Sequence, residues 1–198
     1  DWVAEGKEPP ASRYPRIDDS SLVVSHVEGR INRAAWNRLN GISHPSEIYR
    51  PSHNNYGSRW NEERIIDEHP TSSDHFYNPL VPAVDADNND LGHSTILPPA
   101  TAVPLATFTS WNMRAPETGA ERSLARLAGG YIPYAKDTVN ALANRDQRNS
   151  IGGLYRSYDD YLQKYGAATD RLISDGYLLP GFKEAYMNIA RAMENVFE

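Results

Sequence analysis

Cysteine is absent from this chain of 198 residues, and lysine is scarce. The absence of cysteine excludes disulfides, thiolate nucleophiles and zinc sites built from cysteine. Only four of the 20 basic residues are lysines, and 26 acidic residues bring the net charge to −6. Because an acidic surface without a basic run repels a phosphate backbone, nucleic acid is not expected as a partner. The missing cysteines do not fix the compartment and leave a periplasmic or secreted location open.

Long apolar runs and known catalytic motifs are missing as well. No run approaches the roughly 20 apolar residues that span a bilayer. No G-x-S-x-G pentapeptide occurs, so the strand-to-helix elbow of a serine hydrolase has no candidate here. Ser25 and His26 are adjacent, and on an extended chain they point to opposite faces, which does not suit a nucleophile and its base. The residues therefore predict no catalytic residue, no cofactor and no metal ligand set in this chain.

Turn-forming residues are abundant: 14 prolines and 13 glycines accompany a hydrophobic fraction of 39%. This composition predicts one folded, loop-rich domain. The passage from Val81 to Arg114 is the longest one without a charged helical face. We expect it to be extended and partly buried, with the rest of the chain arranged around it.

A polar segment inside that passage has two interpretations. Asp85, Asp87 and Asn89 alternate like the first ligands of a calcium loop, but Asp90 stands where that loop needs glycine. Ile96 stands where it needs a bidentate glutamate. The better interpretation is a polar turn, which predicts a small β-hairpin near residues 81–97.

The end of the same passage offers candidate binding residues. Trp111 provides a stacking surface, and Asn112 and Arg114 provide directed hydrogen-bond donors, so the three are candidates for substrate binding. The alternative is structural: Trp111 packs on a core, and Asn112 and Arg114 satisfy backbone carbonyls.

The first half of the chain carries weaker signals. Residues 1–5 are typical of the last turn of an amphipathic helix that ends at Gly6, and we expect that helix to begin in sequence absent from this chain. Leu22–Val24 is predicted to be an edge strand, and residues 31–39 a short helix. Histidines in the polar stretch 41–78 lack the spacing of a metal-binding pair on a helix.

The last third is predicted to be helical. Thr118 and Glu121 have the spacing of a capping box, which predicts a helix that ends at the glycine pair 129–130. Ser157 with Asp160 predicts a second helix, which stops at Gly176 and has Tyr161, Leu162, Tyr165, Leu172 and Ile173 on one side as a packing face. A third is predicted from about residue 180, with apolar residues at three- and four-residue spacing.

Three passages together resemble one bacterial family, the alpha/beta hydrolase domain-containing proteins whose C-terminal half differs from ordinary esterases. They are DWVAEGKEPPASRYP at 1–15, VPAVDADN at 81–88 with VPLATFTSWNMR at 103–114, and GYIPYA at 130–135. Gly152 and Gly153 depart from the family pattern, which tends to have a charged helical turn there. The Asn- and His-rich loop 43–78 departs as well.

The resemblance implies an α/β-hydrolase fold of which this chain is a loop-rich, mainly α C-terminal portion. Residues 1–6 would end the last helix of the hydrolase core, 7–117 would form a wrapping region with short strands, and 118–198 a helical region. The nucleophile, acid and histidine of a carboxylic ester hydrolase would lie upstream, in a separate chain or a missing segment. The helices would carry a homo-oligomer interface. A non-catalytic binding or structural module is the competing hypothesis.

Overall fold

Short antiparallel strand pairs occupy the first part of the fold, and a layer of helices occupies the last. The computed structural model describes residues 2–24, 52–66, 71–76, 80–92, 96–109, 111–121, 123–125 and 129–198. The strands are β1 Leu22–Val24, β2 Ser52–Asn55, β3 Thr71–Phe76, β4 Leu80–Pro82, β5 Ala106–Thr109 and β6 Gly130–Pro133. The helices are α1 Trp2–Glu5, α2 Trp60–Glu63, α3 Pro99–Ala102, α4 Thr138–Ala143, α5 Ile151–Leu154, α6 Tyr158–Ser174 and α7 Lys183–Arg191.

The strands form three separate two-stranded sheets, which pair β1 with β4, β2 with β3 and β5 with β6. All three pairs are antiparallel. Across the described ranges there is therefore no parallel sheet of the kind that carries a catalytic elbow. Over the same ranges, no helix is long and apolar enough to cross a membrane.

Two of the expected local elements in the first part are confirmed. The helical turn α1 is followed by Gly6, which has the left-handed φ of +67° expected of a helix stop. The apolar run Leu22–Val24 is a strand. The helix predicted at 31–39 lies outside the described residues.

The hairpin expected near residues 81–97 is only partly present. A polar turn does form, closed by the bridge between Val84 and Asp90. However, β4 pairs with β1 in the register Leu22↔Pro82, not with the segment after the turn. The paired residues of β1 and β4 are 56 to 60 positions apart, and local turn signals do not predict a strand pair over that distance.

The helix predicted from Thr118 to Gly129 is wrong over its described residues. Pro116–Thr118 forms a single 3-10 turn, and Gly119 ends it with a left-handed φ of +65°. The Thr118 hydroxyl donates to the carbonyl of Ala115 at 2.7 Å, so it does not cap a helix. The following segment instead pairs with the Trp111–Arg114 stretch, through a backbone bond from Arg114 to Ser123.

The later helices are confirmed. The Ser157 hydroxyl accepts from the backbone N–H of Asp160, which caps α6, and the chain leaves the helix through Gly176 at φ +81°. A 3-10 turn at Pro180–Phe182 leads directly into α7. Helix α6 packs against both α3 and α7.

The main core is unusually rich in tyrosine. Its buried members are Val103, Leu105, Tyr134, Ile151, Tyr155, Tyr161, Tyr165 and Ala190. The rings of Tyr155 and Tyr161 meet edge to face at 5.3 Å. Each buried ring stabilises the fold by roughly 1.5–3 kcal/mol through area removed from water. This core joins the helical layer to the segment that leads into β5.

Candidate functional site

The β5–β6 pair, here called the ribbon, forms the wall on which the candidate site is built. In its register Thr107 is opposite Ile132 and Phe108 is opposite Tyr131. Because side chains alternate along a strand, Thr107 and Ile132 are buried on one face and Phe108 and Tyr131 are exposed on the other. The exposed pair meets edge to face at 5.5 Å.

Asn89 closes the free edge of β5. Its amide nitrogen donates to the carbonyl of Ala106 at 2.9 Å and to the Tyr134 hydroxyl at 2.7 Å. Its amide oxygen accepts the N–H of Phe108 at 2.9 Å. The side chain is 1% exposed, so it replaces a neighbouring strand in a dry environment. The residue that a calcium interpretation would make a ligand is therefore a structural part of the ribbon.

The neighbouring carboxylates are also used by the chain itself. One Asp85 oxygen accepts the N–H groups of Asp87 at 2.8 Å and Asn89 at 2.9 Å, which fixes the turn. The Asp87 carboxylate accepts both the backbone N–H and the side-chain amide of Asn149, each at 2.7 Å. The polar-turn interpretation is confirmed by these contacts. Among the described residues, no group of three His, Asp or Glu side chains is arranged to hold a metal.

Arg148 clamps the other strand of the ribbon. Its guanidinium donates to the carbonyl of Ile132 at 2.8 Å, to that of Pro133 at 3.0 Å and to the Thr107 hydroxyl at 3.0 Å. Asp146 neutralises it at 2.7 Å, and the two side chains are 2% and 5% exposed. The planar five-donor fork of arginine suits this arrangement, which lysine does not reproduce.

A cleft of about 640 Å³ lies beside the clamped ribbon. Thr109 and residues 111–116 line it together with residues 130–135 of β6 and its continuation, and Asp146 and Arg148 contribute from the loop after α4. Trp111, Asn112 and Arg114 all line this cleft, so the structure brings the three predicted binding residues to one place.

Gly130 allows the two walls of the cleft to approach closely. A side chain at this position would come within 2.4 Å of the Thr109 hydroxyl and 3.1 Å of the Trp111 carbonyl. The Thr109 hydroxyl in turn donates to that Trp111 carbonyl at 2.5 Å and accepts the Gly130 N–H at 3.1 Å. The backbone of Trp111 is thereby fixed against the start of β6.

Asn112 and Arg114 use only part of their hydrogen-bonding capacity within the described chain. The Asn112 amide oxygen accepts the N–H of Met113 at 2.8 Å, and the Arg114 Nε donates to the carbonyl of Leu124 at 3.4 Å. The Arg114 contact is of the kind that the structural alternative predicted, whereas the Asn112 contact is to a backbone N–H and not to a carbonyl. The Asn112 amide nitrogen and the terminal nitrogens of Arg114 have no partner among the described residues, and both side chains are exposed. They are therefore available to a ligand.

The two tyrosines of the cleft stay neutral at physiological pH. Burial raises the pKa of Tyr134 far above its ordinary value, and the carboxylates of Asp87 and Asp85 add to that rise. The partial burial of Tyr131 also raises the pKa of its phenol. Since a raised phenol pKa removes the phenolate, neither group is a base or a nucleophile near pH 7. Their roles are packing and hydrogen bonding.

Sequence reasoning did not identify Tyr131, Asp146 or Arg148 as site residues. Because the sequence predicted that a helix ends at Gly130, it did not predict the strand β6, which contains Tyr131. Asp146 and Arg148 lie in a polar segment, ANRDQRNS at 143–150, whose composition is that of a solvated loop. Only the position of this segment against the ribbon reveals that the pair is buried.

The described residues thus place Trp111, Asn112 and Arg114 along one cleft beside the ribbon. The model of the alpha/beta hydrolase domain family matches residues 1–188, and the chain belongs to this family. No curated protein matches the chain, and no solved structure matches it.

Proposed function

We propose that this chain forms the cleft-shaping portion of a serine-type α/β hydrolase that acts on carboxylic esters. The nucleophile, acid and histidine would come from sequence outside these 198 residues, either in a longer chain or in a companion chain. Family membership supports a hydrolase-like fold. The absence of a G-x-S-x-G elbow from the sequence supports a division of labour between this portion and a catalytic one.

The observation that carries the proposal is the grouping of Trp111, Asn112 and Arg114 along one cleft. Asn112 and Arg114 have unused N–H donors, and they follow Trp111, whose backbone is fixed by Gly130 and Thr109. Such donors suit the polar oxygens of an ester substrate. Trp111 adds aromatic surface to the same cleft.

Activity-based labelling tests where the nucleophile is. The protein isolated from its natural source would be treated with a fluorophosphonate probe, which modifies activated serines, and digested for mass spectrometry. We expect the label on a serine outside this chain, together with loss of hydrolysis of p-nitrophenyl esters. A labelled serine within these 198 residues, or a source protein of about 22 kDa without a companion, would overturn the proposal.

Kinetics of cleft variants test the binding role. Asn112→Ala and Arg114→Ala are expected to raise KM for p-nitrophenyl butyrate about threefold to tenfold each, because each removes a hydrogen-bond donor. Arg171→Ala is the matched control, since Arg171 is exposed on α6 and does not line the cleft. Unchanged kinetics in both cleft variants would contradict the assigned role.

We also propose that the last helix and the turn before it pack against a second copy of the chain. Leu179 and Phe182 precede the helix and Ile189 lies on it, and all three are exposed, at 56%, 54% and 51%, so a second copy would remove apolar surface from water. Light scattering tests this: the natural protein should be a homo-oligomer, and Phe182→Ser should shift it toward the monomer. A monomeric natural protein would contradict this part.

A further inference from the structure

Tyr131 presents an aromatic ring to the cleft from a rigid position. Its side chain is 50% exposed, although it lies on a strand whose register is fixed against β5. The edge-to-face contact with Phe108 supports the ring from one side. Arg148 holds the next two residues, Ile132 and Pro133, by their carbonyls. The orientation of the ring is thus set by a clamped strand and not by a loop.

A second aromatic residue lines the same cleft from another segment. Trp111 is half-buried, and its backbone is drawn against β6 at Gly130, the residue before Tyr131. Met113, Pro116 and Pro133 add further apolar lining. The cleft therefore combines aromatic surface from two segments with a small number of polar groups.

The charges along the cleft balance. Its charged lining consists of Arg114, Glu121, Asp146 and Arg148, two of each sign within the described chain. Asp146 and Arg148 neutralise each other at 2.7 Å, and the guanidinium N–H groups of Arg148 already donate to the ribbon and to Asp146. The lining therefore carries no net charge, which suits a neutral ligand.

We propose that the cleft binds the flat aromatic group of a neutral ester, with Tyr131 as the specificity-determining residue. This inference rests on the proposed function, since it names the class of ester that the cleft would select. A volume of about 640 Å³ lies within the usual range for small-molecule sites and leaves room for a fused bicyclic ring beside the ester group.

Three small molecules with closely related skeletons test separately how the flatness and the charge of a ligand affect its binding to the cleft. 1-Naphthol is neutral and flat, decahydro-1-naphthol is neutral and puckered, and 1-naphthoate is flat and anionic. Titrated into the natural protein that contains this chain and followed by calorimetry, 1-naphthol is expected to bind at least threefold more tightly than either of the others. Equal affinities for the flat and puckered alcohols, or no binding of 1-naphthol, would overturn the proposal.

Variants at position 131 assign the effect to the ring. Tyr131→Leu and Tyr131→Ala should each weaken 1-naphthol binding about threefold to tenfold, because the stacking surface is lost. Tyr131→Phe should retain the affinity. Val139→Ala is the control, at a residue 75% exposed on α4 that does not line the cleft. The leucine variant keeps apolar bulk at an exposed position, so it remains informative if the alanine variant is unstable.

The binding assay and the hydrolysis assay test the cleft assignment and the proposed function separately, so either hypothesis can be wrong while the other holds. If 1-naphthol binds through Tyr131 while the natural protein hydrolyses no ester, the cleft assignment stands and the proposed function is wrong. If the natural protein hydrolyses 1-naphthyl and ethyl esters with equal kcat/KM and the chain does not prefer 1-naphthol, the cleft assignment is wrong and the proposed function stands.

Discussion

At the scale of single residues, the site depends on polar side chains that the sequence presents as loop residues. Asn89 lies in the polar run DADNND, which is typical of a solvent-exposed turn. Its burial arises from contacts with Ala106, Phe108 and Tyr134, which are 17, 19 and 45 positions away. Local composition predicted the turn, but it does not show which distant residues the turn contacts in the fold.

Replacing Asn89 with alanine should destabilise the protein by about 2–4 kcal/mol. The variant loses three hydrogen bonds and leaves the carbonyl of Ala106 and the N–H of Phe108 without partners at the edge of β5. Urea unfolding measures the change. The matched control is Asn188→Ala, at an exposed residue of α7, where we expect a change of under about 1 kcal/mol. Equal effects in the two variants would show that Asn89 does not close the ribbon.

At the scale of elements, the sequence predicted those helices and strands whose start, buried face and end are specified by neighbouring residues. The helix α6 was identified because Ser157, the apolar stripe and Gly176 agree on its start, face and end. The predicted helix at Thr118 failed because Gly119 takes a left-handed conformation after one turn, and pairing with the Trp111–Arg114 stretch stabilises an extended segment. The strands β2 and β3 were missed because SHNN and TSSDHF lack apolar alternation.

The cap of α6 has a measurable effect on stability. Ser157→Ala should lower the free energy of unfolding by about 1 kcal/mol, because it removes the hydroxyl that accepts the Asp160 N–H at 3.2 Å. Ser174→Ala, at the other end of the same helix, serves as the control and should have a smaller effect. Thermal denaturation of both variants provides the comparison, and a Ser157 variant as stable as the natural chain would contradict the capping assignment.

The turn at Asp85–Asn89 should not respond to calcium. Its carboxylates already accept N–H groups of Asp87, Asn89 and Asn149, so binding a cation there would require those bonds to break. We expect the midpoint of thermal unfolding to agree within about 1 °C in calcium and in chelator, because a ligand that binds the folded state would raise it. A rise of several degrees in calcium, with magnesium as the control, would restore the calcium-loop interpretation.

At the scale of the whole molecule, tyrosine takes much of the place that aliphatic residues usually hold in a core. Tyr155, Tyr161 and Tyr165 are 6%, 2% and 1% exposed. Sequence periodicity predicted that Tyr161 and Tyr165 face inward on α6. It did not predict that the same core reaches Tyr134 beside the cleft, because that contact depends on where β6 ends.

This core predicts a loss of stability in alkaline solution. Burial raises the pKa of Tyr161 above its ordinary value of 10.0, so the folded state favours the neutral phenol. As the pH rises above about 10, the phenol ionises first in the unfolded chain, and stability falls until the folded pKa is passed.

Tyr161→Phe isolates this contribution. The variant should match the natural chain near pH 8 and be more stable than it by roughly 1 kcal/mol at one pH unit above 10. Urea unfolding across this pH range measures the difference, with Tyr14→Phe as the control at an exposed residue. A difference independent of pH would contradict the assignment.

The bond between Asp87 and Asn149 joins residues 62 positions apart, and Arg148 beside it holds a strand 15 and 16 positions away. Because these long-range contacts lie next to one another, the wall of the cleft cannot form before distant parts of the chain have met, which favours slow folding. It also follows that the amide protons of the ribbon should exchange with solvent only when the helical layer opens too. The cleft would then keep its shape over the lifetime of the folded molecule, and a ligand would enter a cleft that is already formed.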